Sequence, residues 1–443
     1  MSDKRNGSLT EFSPANYLSQ GPCDVRLRNK RCGENEPRNT IEVALLTGGG
    51  DKPYALGMAA SLTSEGILLD FIGSNDLQVP KLLDNPRVNF LNLRGDQRSN
   101  VSPFEKVWRI LAYYFRLIGY AATAEPKIFH VLWTNKFVVF DRTALLAYYR
   151  LLGKRIVLTA HNVNAGERDS NDSWLNRFSL KSEYLLSNHI FVHTEKMRKQ
   201  LISEFGISPG KVSVIPFGIN NTTPRTNLST GEAKGRLGLL SSDKAILFFG
   251  NIARYKGLEY LVAAFGELAQ TDRSYRLIIV GKPKGDDSYW SRIQQAIVQR
   301  GMTDRVIQRI EYVPDEETEL YFKAADVLAL PYTHIFQSGV LFLGYSFGLP
   351  AIAADVGSLR EEIIEGETGL IFKARDSSAL ARAIEQYFAS DLFRQLESKR
   401  SKIKAYANDR YSWSKVATIT TAIYSALLGN APADVMASYS AGD

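Results

Sequence analysis

Twice along the chain a short apolar run ends at glycine and is followed by a helix-length stretch, and nothing else in the sequence constrains the fold as much. The first run, residues 41–46, leads into Thr47-Gly48-Gly49-Gly50-Asp51 and a small-residue segment from Pro53. The second, residues 245–249, ends at Gly250 and precedes an amphipathic segment at 258–268. Strand, glycine turn and helix is how a doubly wound α/β domain begins. Further buried-strand candidates follow the first run at 68–72, 88–91, 128–132, 156–159, 189–192 and 212–215. The second is followed by 276–280, 306–312, 327–330 and 351–353. Apolar runs alternating with helix-length segments specify parallel strands joined by crossover helices.

The length fits this doubling, because 443 residues exceed what one hydrophobic core usually spans. The expected fold class is α/β, two Rossmann-like domains facing across a cleft. Residues 1–40 are expected to be a polar, flexible tail, with 41–225 an N-terminal and 226–408 a C-terminal Rossmann-like domain, and a polar linker at 220–233. A final helix at 409–430 is expected after the second domain, and 431–443 as a second tail. Composition is ordinary for a globular protein, with 44% hydrophobic and 23% charged residues, which excludes wholesale disorder. No run reaches the ~18 apolar residues of a membrane span, and the polar opening of the chain leads us to expect no signal peptide. Cys23 and Cys32, the only cysteines, exclude a disulfide scaffold and a cysteine-ligated zinc module. The expected setting is cytoplasmic, with access to the inner face of the membrane.

Ligands of open α/β sheets bind beyond the carboxyl ends of the strands, so residues just after strands are the candidates. Gly48, Gly49 and Gly50 allow close backbone approach to an acceptor or phosphate, and equally suit a plain tight turn. In Gly250-Asn251-Ile252-Ala253-Arg254-Tyr255-Lys256, the two cations can grip a diphosphate, or simply face solvent. Ser338 can cap a helix whose first amides, at Gly339, Val340 and Leu341, would meet a bound phosphate; an ordinary capped helix is the plain alternative. His161, after the strand at 156–159, is either a ligand contact or a hydrogen-bonded structural histidine.

Several runs together carry a family resemblance. They are Phe249-Gly250, Lys256-Gly257-Leu258, Val313-Pro314-Asp315-Glu316-Glu317, Ala324-Ala325-Asp326-Val327, Gly348-Leu349-Pro350-Ala351-Ile352-Ala353 and Glu365-Gly366-Glu367-Thr368-Gly369-Leu370. In this order they resemble the C-terminal half of the family 4 glycosyltransferases, retaining enzymes of the two-domain GT-B fold, of the bacterial surface or exopolysaccharide type. The resemblance implies metal-independent transfer of a sugar from a nucleotide diphosphate sugar to a glycan or polyprenyl-diphosphate-linked acceptor, with no cofactor. It implies that Lys256 neutralises the donor diphosphate, that the amides of Gly339, Val340 and Leu341 bind its distal phosphate, and that His161 touches the donor sugar. It also implies that 41–225 is the acceptor domain and 226–408 the nucleotide-sugar domain, and that the helix at 409–430 crosses back to pack on the N-terminal domain. Two positions depart from the pattern. Asn251 stands where the family has an arginine, leaving Arg254 as the candidate, with Gly250 and Asn251 beside the donor. The family's paired glutamates fall on Ile335 and Leu343, leaving Gln337 and Ser338 to take over part of their role.

The net charge of +7 is concentrated: residues 101–155 hold nine Lys or Arg against three acidic residues. This stretch contains Lys106, Trp108, Arg109 and Arg116 on a segment rich in aromatic residues, which suits a helix at an anionic bilayer surface, or a buried core helix. A nucleic-acid partner is not expected, because no recognition motif accompanies the charge. No two aspartates stand two positions apart, which counts against a metal-dependent transferase. Two rival functions share the expected fold: a non-catalytic nucleotide-sugar-binding partner protein, and a nucleotide-sugar epimerase.

Overall fold

The computed structural model describes residues 40–98, 101–168, 172–219, 223–284 and 287–430. The tails assigned to 1–40 (but for Thr40) and 431–443, Cys23 and Cys32, and the linker residues 220–222 lie outside the described residues.

Two parallel sheets organise the chain. The first contains β1 (Glu42–Leu46), β2 (Leu68–Ile72), β3 (Val88–Leu91), β4 (Ile128–Val131), β5 (Arg155–Thr159), β6 (His189–Val192) and β7 (Val212–Val214), in the order β3-β2-β1-β4-β5-β6-β7. The second contains β8 (Lys244–Phe249), β9 (Tyr275–Val280), β10 (Val306–Arg309), β11 (Val327–Leu330), β12 (Ala351–Ala354) and β13 (Gly369–Phe372), in the order β10-β9-β8-β11-β12-β13. Most central strands are buried along nearly their whole length, as strands covered by helices on both faces must be. The expected fold class, two Rossmann-like α/β domains, is what the chain adopts.

In each sheet the strand order reverses once, between β1 and β4 and between β8 and β11. At such a switch point neighbouring loops leave in opposite directions and open a crevice at the carboxyl edge. The main helices are α1 (Lys52–Ser64), α2 (Pro103–Thr123), α3 (Trp174–Leu186), α4 (Leu258–Thr271), α5 (Asp315–Ala324), α6 (Gly339–Ser346), α7 (Leu396–Arg410) and α8 (Trp413–Leu427).

The structure revises three details of the sequence reading. The strand expected at 306–312 stops at Arg309, and β13 lies inside a stretch read only as a motif. The linker expected to reach residue 233 already turns helical at Thr230, because Ser229 and Glu232 form a reciprocal capping box.

The chain crosses between the sheets twice, and the crossings are tied together. The amide of Ile219 donates to the Tyr411 carbonyl at 2.9 Å, and the Trp413 indole Nε1 donates to the Ile219 carbonyl at 3.1 Å. The Trp413 ring fills space that exists because Gly57 and Gly218 lack side chains; a Cβ at either would lie 2.3 Å from the indole. Beyond Trp413, α8 packs on α1, and Val416, Ile423 and Tyr424 join the core on that face of the first sheet. In the other direction Phe336 of the second domain inserts into the N-terminal core, and Phe217 stacks on Phe342 with centroids 5.4 Å apart. Replacing Trp413 by alanine is expected to cost about 3 kcal/mol in the unfolding of the N-terminal half, read as a lowered denaturant midpoint. A loss below about 1 kcal/mol would show that the indole does not couple the domains.

Candidate active site

The two crevices face one another across a cavity of about 420 Å³. Its wall is built almost entirely from segments that follow strands. Trp133 comes after β4, His161 and Asn162 after β5, Asn251 and Lys256 after β8, and Tyr332, Gln337 and Ser338 after β11. Asp51, Pro53 and Tyr54 at the start of α1, Asp315 at the start of α5, and Trp413 complete much of the surround.

Lys256 ends a short 3-10 turn and is buried. Gly250, at φ +100°, is what admits it: a Cβ there would lie 3.1 Å from Lys256 Nζ and 3.3 Å from Val340 Cγ2. The Lys256 ammonium donates to the Tyr332 hydroxyl at 3.2 Å and sits 4.9 Å from that ring's centroid. Tyr332 Oη in turn lies 3.2 Å from Ser338 Oγ. A chain of three polar groups thus connects the cation to the residue that caps α6. At that helix start Gly339 and Val340 line the cavity, and their amides have no acceptor among the described residues. A buried ammonium beside bare helix-start amides suits an anion, because charge and helix dipole add in a poorly screened setting.

The opposite wall carries a histidine pair whose tautomers follow from its partners. His193 Nδ1 lies 3.2 Å from the Ile215 carbonyl, which can only accept, so Nδ1 bears the proton. Burial pushes His193 down to about 4, so the ring is neutral and its Nε2 is a bare acceptor. His161 Nδ1, 3.0 Å away, must therefore donate to it. That leaves His161 Nε2 as a lone-pair acceptor with no partner among the described residues. Burial, reinforced by His193, holds His161 well below the ordinary histidine range. The ring is fixed by stacking on Trp133 at 4.2 Å and 4°, with Tyr54 edge-on at 4.7 Å.

Gln337 lines the cavity and is oriented from behind. Its side-chain amide donates to Glu362 Oε1 at 3.4 Å, and its own Oε1 has no partner. Glu362 is buried, accepts from the Tyr411 hydroxyl, and burial raises its pKa above the usual carboxylate range. Ile335 and Leu343 also line the cavity as apolar groups.

The structure therefore brings His161, Asn251, Lys256, Gln337, Ser338, Gly339 and Val340 to one cavity, with Gly250 packed directly behind Lys256. Three expectations are corrected. Arg254 turns away: it lies 5.7 Å from the Tyr289 ring centroid and lines a separate 240 Å³ cavity with Arg292 and Arg300. Leu341 is buried, and its amide is taken by Ser338 through the carbonyl at 3.1 Å and Oγ at 3.4 Å. Gly48, Gly49 and Gly50 do not wall the cavity, which begins at Asp51. They make room instead, since a Cβ on Gly48 or Gly50 would overlap the Trp133 carbonyl or indole, and one on Gly49 the Arg94 guanidinium. Sequence reading missed His193, although it follows β6 as His161 follows β5, and it missed the aromatic frame of Tyr54, Trp133, Phe217 and Trp413.

Two parallel sheets thus present their switch-point crevices to one cavity. Residues 48–222 match the profile described as Glycosyltransferase Family 4, and residues 243–390 match Glycosyl transferases group 1. The protein is a glycosyltransferase of the GT-B fold, in the group 1 and family 4 superfamily. It is 27% identical to the D-inositol 3-phosphate glycosyltransferase of Corynebacterium aurimucosum over 85% of this chain and 90% of that protein. Its match to the Corynebacterium efficiens protein of that name, at 26% identity over 61% of this chain, spans 65% of the relative, just under two thirds. Among solved structures, sucrose-phosphate synthase from Thermosynechococcus elongatus matches with TM-score 0.70 and 18% identity over 88% of this chain and all of that one. The Anabaena protein HepE, solved with UDP and glucose, matches with TM-score 0.67 and 17% identity over 87% of this chain and all of its own.

The neutral histidines carry a pH signature. The unfolded chain takes up histidine protons near pH 6.5, whereas the folded protein holds His193 to about 4 and the buried His130 and His189 to about 3. Below 6.5 the unfolded state binds more protons, so stability falls as pH drops towards 4. Urea denaturation between pH 7 and 5 is expected to show this slope, made shallower in His193→Gln. Identical slopes would mean that His193 titrates normally when folded.

Proposed function

We propose that the protein transfers a sugar, with retention, from a nucleotide diphosphate sugar to a phosphate-bearing or lipid-linked acceptor, without a metal. The observation that carries this reading is the meeting of Lys256, the Gly339 and Val340 amides and the bare His161 Nε2 around one cavity. The relatives named for inositol phosphate transfer and the HepE complex with UDP and glucose support the donor class and a phosphorylated acceptor.

The donor diphosphate lies against Lys256 and the two amides. As the bond from the anomeric carbon to the phosphate oxygen breaks, negative charge grows on that oxygen, where a fixed cation and fixed dipoles stabilise it. The acceptor oxygen attacks from the same face, forms the new bond to the anomeric carbon, and passes its proton to the leaving phosphate. His161 Nε2 accepts a hydroxyl of the sugar and holds the ring in place. Gln337 Oε1 is offered to a donor hydroxyl in place of the carboxylates absent at Ile335 and Leu343. Lys256→Ala is expected to lower kcat about 10²- to 10³-fold while leaving the denaturation midpoint unchanged. Product analysis with labelled donors separates the rival functions: transfer requires an acceptor, an epimerase forms product without one, and a binding partner forms none.

The active site works at a lipid surface in this reading. On α2, Phe104, Val107, Trp108 and Phe115 are all more than half exposed, at helical spacing along one face. Tyr114 stacks on Phe137 at 5.2 Å, joining this stripe to the exposed segment Phe137 to Phe140. Lys106, Lys136 and Arg116 are exposed in the same region, which suits an anionic bilayer. Arg109 is the exception, because its guanidinium is spent on the carbonyls of Asp96 and Arg98 at 3.0 Å each. No described helix is long and apolar enough to cross a membrane. Phe104→Ser, Trp108→Ser, Phe115→Ser is expected to abolish sedimentation with phosphatidylglycerol vesicles, and undiminished sedimentation would remove the lipid contact.

A further inference from the structure

A second cavity, of about 390 Å³, lies in the N-terminal domain beside the glycine turn. Its lining holds five cations, Arg94, Arg98, Lys106, Arg109 and Lys136, against one acidic residue, Asp96. Three elements converge to make it: the loop after β3, the first half of α2, and the loop after β4.

The cations divide by what already holds them. Arg98 pairs with Asp96, and Arg109 is bound to the carbonyls of Asp96 and Arg98, so these two shape the loop. Arg94 lies 5.7 Å from the Tyr113 ring centroid, and among the described residues none of Arg94, Lys106 and Lys136 has an acidic partner. Three positive charges therefore line one concave surface with a single, already engaged, carboxylate. The support beneath them is rigid. Buried Asp141 accepts from the Asn135 amide at 2.7 Å and the Tyr114 hydroxyl at 2.8 Å, and Tyr113 donates to Asn135 at 2.6 Å. Tyr114 Oη also accepts from the amide of Phe137 at 2.9 Å, which fixes the residues on both sides of Lys136. Three cations without acidic partners among the described residues, over a fixed floor of Ile110, Tyr113 and Tyr114, suit a phosphate or diphosphate attached to a less polar group.

This cavity is connected to the catalytic one through packed groups. The Arg94 guanidinium sits on Gly49, the Trp133 indole sits on the adjacent Gly50, and Trp133 both walls the donor cavity and stacks on His161.

We propose that this cavity binds the phosphate of the acceptor, with Arg94, Lys106 and Lys136 as its ligands. The inference rests on the transferase reading for the word acceptor; the anion site itself does not. Two sources share this chemistry, a soluble sugar or inositol phosphate and a lipid-linked phosphate. The test is made in a Lys256→Ala background, so that the donor cavity's cation does not contribute. Inorganic pyrophosphate is titrated calorimetrically into that protein and into the same protein carrying Lys106→Ala and Lys136→Ala, both exposed positions. Affinity is expected to fall at least tenfold with the pair of substitutions, and to recover with Lys106→Arg and Lys136→Arg. Equal affinities in the two proteins would overturn the site. Two further arms use inositol 3-phosphate in solution and phosphatidylcholine vesicles carrying a polyprenyl phosphate. Loss of binding in either arm with the alanine pair supports the site and names its source, and loss in neither overturns it. Whether nucleotide sugars stabilise the wild-type protein thermally is measured separately. Failure there counts against the donor reading and leaves the pyrophosphate result standing.

Discussion

The site depends on one knot of contacts, where the two crossings between the domains bind each other. Ile219 leaves the first domain and Tyr411 re-enters it, and the hydrogen bonds of Ile219 with Tyr411 and Trp413 fix the crossings side by side. Both opposed crevices are therefore referred to a single pivot rather than to two independent linkers. The pivot is also wired to the donor side. The Tyr411 hydroxyl donates to Glu362, Glu362 accepts from Gln337, and Gln337 lines the cavity. The line thus runs from the crossing to a donor-facing amide within one packed core, so a substitution at Tyr411 reaches the cavity through Glu362 and Gln337.

Much of the fold was legible because its signals are local. Apolar runs alternating with helix-length segments marked most of the parallel strands within one or two residues. Gly369–Phe372 escaped because it is a four-residue strand with a half-buried middle and no flanking apolar run to mark it. The lysine and the cap of α6 were legible because a cation after one strand and Ser-Gly before a helix have a fixed meaning for anions. Arg254 was misplaced for the opposite reason: sequence spacing gives no direction, and one turn of 3-10 helix sends residues two apart to different faces. The glycine turn misled in a similar way. Three glycines announce that something approaches closely, but only the packing shows it is Trp133 and Arg94.

The catalytic cavity separates its electrostatics by wall. The second domain contributes positive potential from Lys256 and from unpaired amides. The first contributes histidines that burial keeps neutral, so His161 faces the cavity as a hydrogen-bond acceptor and not as a second cation. A protonated histidine there would compete with Lys256 for the same anion. A neutral one can take a hydroxyl proton without drawing the diphosphate out of place. The aromatic packing around His161 thus acts through protonation state as much as through shape.

The same logic accounts for two anion sites in one small region. A single large positive cavity would bind donor and acceptor phosphates interchangeably, and each would then inhibit the other. Here Trp133 stands between them, with its indole over the glycine turn and its face against His161, while the cations lie on either side. Charges in the second cavity come from α2 and its neighbouring loops, which also carry the exposed apolar stripe. An acceptor whose phosphate entered there would have its less polar portion beside that stripe and its reactive end towards Trp133. The glycine turn is what lets these elements approach: side chains at 48, 49 and 50 would push Trp133 and Arg94 outwards and draw the two cavities apart.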